Sequence, residues 1–192
     1  MLLVLTDAGN NVIIRTMFAS VCILVAAVAA MMPAARQDAS WHRRLEEKSA
    51  AVKAGGSEVV FLGDENIHFY EAGWGGETVW RRYWAGEPYK TLNLGFSGDC
   101  IENVLWRITE GRELDGYGAK AIVLNVGINN IVSRGACVGD VIDGTRCILK
   151  AIAAAAGIVE LCKYPLHNVI VGRDAPTCRS TWLLGRGHGV RV

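Results

Sequence analysis

The sequence predicts a three-layer α/β domain built on a parallel sheet. Short apolar runs next to glycine recur at residues 58–63, 91–95 and 120–127, in the form expected of strands buried on both faces. Segments with apolar residues at helical spacing lie between these runs, and such an alternation is typical of parallel α/β sheets. The chain has 192 residues, of which 51% are hydrophobic, so it can bury one such core.

The helices are predicted from apolar residues that repeat every three or four positions. A short charged helix is expected over residues 43–53, before the first strand. An apolar stripe from Ile101 to Ile108 predicts the second helix, and a longer stripe over residues 138–152 predicts the third. Residues 167–172 form a plausible fourth strand.

Three residues with possible chemical roles follow the ends of the predicted strands. Glu65, Gly98 and Asn129 each come after a different strand. Ligands of open parallel sheets bind beyond the carboxyl ends of the strands. We therefore expect these three residues to line one cleft.

The segments around these positions resemble the signature blocks of a known family. Residues 59–69 (VVFLGDENIHF), 92–99 (LNLGFSGD) and 122–130 (IVLNVGINN) resemble the first three blocks of the SGNH/GDSL hydrolases, in the right order. The likeness is strongest over residues 41–150. Within the family, the chain most resembles platelet-activating-factor acetylhydrolase subunits and bacterial carbohydrate O-acetylesterases. This likeness implies a flavodoxin-like α/β/α fold and hydrolysis of small acyl esters, notably acetyl esters, of carbohydrates or lipids, with no cofactor.

The resemblance also implies roles for individual residues. The Gly98 N–H, the Asn129 side-chain amide and the N–H of residue 65 would form the oxyanion hole. Glu65 stands where the family has its serine nucleophile. The closing Asp-x-x-His block is missing, because no histidine has aspartate three positions before it; the four are His42, His68, His167 and His188. After about residue 149 the chain reads as truncated or divergent.

Glu65 argues against the family's usual reaction. A carboxylate is a poor nucleophile toward esters, and oxyanion donors would lower its pKa and weaken it as a base for water. We expect loss of the acyl-enzyme route. The alternative is a non-catalytic ligand-binding relative, or a decayed and truncated one. We interpret His68 as a rim residue, and the aromatic residues Trp74, Trp80, Tyr83 and Trp84 as packing against Trp106 or as a sugar-stacking wall.

The N-terminal segment predicts export. Residues 16–35 carry no charge and follow Arg15, which is typical of a secretory signal peptide. We therefore divide the chain into a signal peptide or anchor at 1–35 and a hydrolase-like domain at 36–192. The expected location is secreted or periplasmic, with membrane anchoring as the alternative, since the segment nearly reaches the length of a membrane span.

Charge and cysteine spacing narrow the possible partners. The formal net charge is +1 and no long basic cluster occurs, so no nucleic-acid partner is expected. A small-molecule ester or carbohydrate is the expected ligand, and a membrane is a partner only if the N-terminal segment stays uncleaved. The six cysteines lack Cys-x-x-Cys spacing, so no metal site is expected.

Overall fold

The computed structural model describes residues 31–71, 75–86 and 90–156, and the backbone of two further strands at 160–163 and 169–172. Strands and helices alternate through most of this region. In chain order they are α1 (Ala39–Ala54), β1 (Val59–Gly63), α2 (Glu65–His68), α3 (Glu77–Tyr83), β2 (Thr91–Gly95), α4 (Ile101–Thr109), β3 (Ala121–Asn125), α5 (Ile128–Arg134), α6 (Val138–Ala156), β4 (Glu160–Lys163) and β5 (Val169–Gly172).

The strands form one five-stranded sheet in the order β2-β1-β3-β5-β4. β1 lies at the centre of a parallel trio, in which Val60 pairs with Leu92 of β2 and with Ile122 of β3. The register brings Gly63 level with Gly95 and Asn125, so the three parallel strands end together. This common edge positions the candidate site.

The C-terminal strands give the sheet a mixed edge. β5 pairs antiparallel with both β3 and β4, so β4 runs in the same direction as β3 but is separated from it by β5. Residues 164–168 connect β4 to β5. This connection is too short for the crossover of a dozen or more residues that parallel neighbours require. A hairpin is the arrangement that such a connection permits.

The two faces of the sheet are covered unequally. One face carries the main core, where Leu62, Leu94 and Ile122 pack with residues of α4 and α6 and are almost completely buried. The opposite face carries a smaller cluster around Phe61 and Trp80. Alternate residues of β1 therefore point into different cores, which explains why its sequence is continuously apolar.

These observations confirm the predicted α/β class and the parallel arrangement of the first three strands. The fourth predicted strand is present as β5, but it is antiparallel, and β4 has no counterpart among the predicted strands. The structure therefore departs from the predicted parallel sheet in these two strands. The short connection between β4 and β5 accounts for their antiparallel pairing.

The positions of the aromatic residues after β1 contradict one of their two interpretations, packing against Trp106. Trp80 and Trp84 pack against Phe61, with ring centroids 5.4 and 5.0 Å from it, on the second face of the sheet. Trp106 lies instead beside Trp41, at 5.7 Å. The interpretation that Trp80 and Trp84 pack against Trp106 was therefore wrong.

Two sequence predictions fall largely or wholly outside the described residues. The proposed leader lies almost entirely before residue 31, and Trp74 lies in a short undescribed segment. No helix of the described ranges is both long and apolar enough to cross a membrane.

Candidate active site

The first part of the site is the turn that leads from β1 into α2. Gly63 ends the strand where a side chain would overlap the carbonyl oxygen of Asn125, so the close approach of β1 and β3 requires glycine there. Asp64 then caps α2, and its carboxylate accepts the N–H of Asn66 at 3.0 Å. Glu65 is the first residue of the helix. Capped in this way, the helix places the Glu65 side chain at the carboxyl end of β1.

The second part is the loop after β2. The Phe96 N–H donates to the Gly63 carbonyl at 2.9 Å, which ties this loop to the end of β1. Gly98 adopts a φ of +79°, a left-handed conformation that favours glycine. The Gly98 N–H therefore points out of the loop toward the neighbouring turn.

The third part is the start of α5, after β3. Asn129 is the second residue of this helix. One hydrogen of its side-chain amide goes to the carbonyl of Asp99 at 3.0 Å, which fixes the orientation of the amide. The amide can direct its other hydrogen into the cleft.

The structure brings Glu65, Gly98 and Asn129 together. Glu65 Oε2 accepts the Gly98 N–H at 3.0 Å and the Asn129 amide at 2.8 Å. Two of the three groups that the family resemblance assigns to the oxyanion hole thus donate to one oxygen atom. That oxygen belongs to the residue at the nucleophile position.

The ionisation of Glu65 follows from these contacts. Partial burial alone would raise the pKa of Glu65, but the Asn129 amide, the Gly98 N–H and its own backbone N–H favour the carboxylate. The positive charge of Arg36 acts in the same direction. The net pKa lies below the usual range, so Glu65 is ionised at neutral pH and is a weak base.

His68 lies one turn after Glu65 on α2. Its Nδ1 accepts the N–H of Ser97 at 3.0 Å, so the ring proton is on Nε2. Burial, together with the nearby Arg44, lowers the pKa of His68, and the ring is therefore neutral at neutral pH. The Ser97 N–H occupies the Nδ1 lone pair, and the role of His68 as a rim residue stays a prediction.

The other histidines give no base for this site within the described residues. His42 is exposed and packs edge-on against Trp41 at 5.1 Å. His167 and His188 lie outside the described residues. Nor does this part of the chain contain a group of three or more His, Cys, Asp or Glu side chains that could hold a metal ion.

Arg36 is a residue of the site that the sequence patterns did not single out. It precedes α1, yet its Nη1 donates to the carbonyl of Ser97 at 2.6 Å. A Cβ placed on Gly98 would lie 2.9 Å from the same nitrogen. A guanidinium group therefore lies directly against the Gly98 turn. No local motif marks this contact, because the two residues are far apart in sequence.

A buried ionic network supports the loop from below. Arg107 is fully buried and donates to Asp99 at 3.1 Å and to Glu113 at 2.7 Å. It also donates to the carbonyls of Leu94 and Gly63, and so joins the ends of β2 and β1. Burial raises the pKa of both Asp99 and Glu113, and the Arg107 charge opposes this shift. The network fixes the backbone that presents Gly98.

Part of the chain is similar in sequence to known acetylhydrolase subunits. The platelet-activating factor acetylhydrolase IB subunit beta homolog of Drosophila melanogaster is 36% identical over 97 residues, which cover 49% of the chain and 39% of that protein. The alpha1 subunit of Bos taurus is 33% identical over 95 residues, covering 50% of the chain and 37% of the subunit. The resemblance to the SGNH/GDSL hydrolases is confirmed. In sequence, the chain is similar to ester hydrolases.

Further comparisons define the extent of the likeness. The alpha2 subunit of Homo sapiens is 36% identical over 73 residues, covering 38% of the chain and 29% of the subunit. The crystal structure of AlinE4, an SGNH-hydrolase family esterase, matches at a TM-score of 0.38 and 23% identity, over 52% of the chain and 55% of AlinE4. No family model matches the chain. The SGNH-like segment thus spans about two fifths or less of the length of the acetylhydrolase subunits that it matches.

Proposed function

We propose that this chain is an SGNH/GDSL ester-hydrolase-like protein whose ancestral site hydrolysed small acyl esters, notably acetyl esters of carbohydrates or lipids. We further propose that this chain has lost the acyl-enzyme route. The observation that carries the proposal is the position of the Glu65 carboxylate. It accepts both the Gly98 N–H and the Asn129 amide. An ester carbonyl needs these same donors when its oxygen becomes negative.

Two physical consequences arise from an occupied oxyanion hole. A substrate carbonyl must displace a charged, hydrogen-bonded carboxylate before it can bind, which weakens both binding and activation. A carboxylate with a lowered pKa also accepts a proton poorly, so Glu65 does not replace serine and its base together. We therefore expect ester hydrolysis by the native chain to be slow.

Substitution of Glu65 tests the proposal. In the Glu65→Ser variant, Asp64 still caps α2, so the turn is expected to keep its shape. Acetate should then bind weakly to the freed donors, with a dissociation constant on the order of millimolar. Hydrolysis of p-nitrophenyl acetate should stay near the residual level of an oxyanion hole alone, roughly 1,000-fold over water.

Glu65→Ala is the matched control, because it frees the same donors without supplying a hydroxyl. The two variants should bind acetate alike and hydrolyse the ester at similar rates. If the serine variant exceeds the alanine variant by more than about 100-fold, a competent base is present and the loss of the route is refuted. Rapid turnover by the native chain would refute it directly.

A non-catalytic ligand-binding role is the second candidate. The replacement affects the reacting group, while the donors and the Arg107 network beneath them are in place. A site kept in this form can hold a small ligand without transforming it. Direct binding of acetylated sugars to the native chain, measured by calorimetry with no product formed, would support this role over simple decay.

A further inference from the structure

A cavity of about 290 Å³ lies next to the candidate site. Three arginine side chains contribute to its wall, together with His68 and Ser97; we call it the arginine cavity, lined by Arg36, Arg43, Arg44, His68 and Ser97. Two carboxylates, Asp38 and Glu47, also line it, so the guanidinium groups are in excess. Any role of this cavity in binding rests on the proposed function, because it concerns the ligand of the same site.

Arg36 links the arginine cavity to the oxyanion donors. It lines the cavity, and its Nη1 also lies against the Gly98 turn through its bond to the Ser97 carbonyl at 2.6 Å. The hydrogen bonds from Asn129 and Gly98 lower the pKa of Glu65 most, and the positive charge of Arg36 acts in the same direction. The cavity and the donors are therefore adjacent, and Arg36 contacts both.

The arginines differ in how far their charge is already neutralised. Arg36 donates to Asp38 at 2.9 Å and lies 3.6 Å from the Asp99 carboxylate. Arg44 donates to the Gly95 carbonyl at 2.8 Å and to Glu71 at 3.2 Å. Arg43 is exposed and forms no ion pair with any side chain in the described part of the molecule. Arg43 is therefore the guanidinium most available to a ligand.

The acidic and neutral groups that line the cavity do not neutralise the charge of Arg43. Both oxygens of Asp38 are engaged, Oδ2 by Arg36 and Oδ1 by Ser40 and by the Trp41 N–H. Glu47 is exposed, and the amine of Lys48 lies 3.8 Å from its carboxylate. His68 is neutral and carries its proton on Nε2, so it can donate a hydrogen bond without competing for cations.

We propose that the arginine cavity receives an anionic group of the ligand, a carboxylate or a phosphate, while the acyl or carboxyl end of the same ligand lies on the Gly98 and Asn129 donors. Guanidinium groups suit both anions, because their planar array of N–H donors matches two oxygens at once. The ligand class is thus a small molecule with an anion close to its acyl end.

Binding of short dianions to the Glu65→Ser protein tests this assignment. Acetate reports the oxyanion donors alone, whereas malonate, succinate and glutarate add a second carboxylate at increasing reach. At least one of the three should bind about tenfold more tightly than acetate, the gain expected for one added charged contact. Phosphonoacetate, measured beside malonate, distinguishes phosphate from carboxylate as the preferred group.

Arg43→Gln in the same background locates the second contact. It should abolish the dianion advantage and leave acetate affinity unchanged. Arg146→Gln is the matched control, since Arg146 is an exposed arginine on α6 paired with Asp143, and it should change neither value.

The outcomes separate this inference from the proposed function. If acetate binds but no dianion binds more tightly, the arginine cavity is not an anion subsite. The same holds if Arg43→Gln leaves the advantage intact, or if it weakens acetate and dianions equally. If acetate itself fails to bind to the Glu65→Ser protein, the occupied oxyanion hole is refuted, and with it the proposed function.

Discussion

Replacing Asp64 with asparagine should make the protein less sensitive to pH. The Asp64 side chain is fully buried under the turn that carries Glu65, and one of its oxygens, Oδ2, has no hydrogen-bond partner. Burial raises the pKa of Asp64 from 3.8 to about 6, and the nearby Glu65 charge adds to this shift, against two opposing bonds from Asn66. The folded state therefore holds this proton more tightly than the unfolded state does.

The sign and size of the effect follow from this shift. Between pH 4 and pH 6 the folded protein binds more protons at Asp64 than the unfolded chain, so the free energy of unfolding falls as the pH rises. A shift of about two pKa units corresponds to roughly 3 kcal/mol. Asparagine cannot ionise, so the stability of Asp64→Asn relative to wild type should rise by up to about 3 kcal/mol across this window.

Urea unfolding of both proteins at pH values from 3.5 to 8 measures the difference directly. A constant offset between the proteins reflects local packing and does not bear on the argument, whereas the slope of the difference does. Asp38→Asn is an informative control, because hydrogen bonds from Ser40 and Trp41 lower the pKa of Asp38. The slope for this variant should have the opposite sign and should be confined to the acidic end of the range, near pH 4 and below. A difference between wild type and Asp64→Asn that stays flat over this range would refute the buried-carboxylate reasoning.

The remaining predictions concern the two donors. Asn129→Ala removes a hydrogen bond that favours the Glu65 carboxylate, so the pKa of Glu65 should rise in a carbon-detected NMR titration. Val132→Ala, an exposed change on the same helix, should leave the pKa of Glu65 unchanged. An unchanged pKa in Asn129→Ala would show that this hydrogen bond is unimportant. Gly98→Ala places a side chain at a φ of +79° and against Arg36, so urea unfolding should show a loss of about 1–2 kcal/mol, and equal stability would contradict the strained turn.

The parallel half of the fold was predictable because its signals are local. The strand predicted over 91–95 coincides with β2, and those predicted over 58–63 and 120–127 contain β1 and β3. Strands buried on both faces are continuously apolar, and this pattern is unambiguous when glycine bounds it. Because parallel strands end at one edge, the meeting of Glu65, Gly98 and Asn129 also followed from sequence.

The features that the sequence patterns missed depend on contacts between distant segments. The direction of β5 is set by the length of the connection at 164–168, and periodicity within a strand carries no information about direction. Arg36 reaches Ser97 across 61 positions of the chain, and a single arginine before a helix has no recognisable pattern. Asp99 stood within the second block, but its partner Arg107 became evident through three-dimensional contacts.

Under the proposed function, the position of Glu65 explains how the site accommodates a residue that the family's reaction does not use. An oxyanion hole is a pair of donors directed at a point where negative charge develops for a moment. A carboxylate at the start of α2 places a permanent negative charge at that point, and it satisfies the Gly98 and Asn129 donors in every molecule. Under the proposed function, donors that would hold a transient anion therefore stabilise Glu65, together with the charge of Arg36, and the folded ground state gains interactions that catalysis would reserve for the transition state. This is why we expect removal of Glu65 to increase anion affinity without restoring turnover.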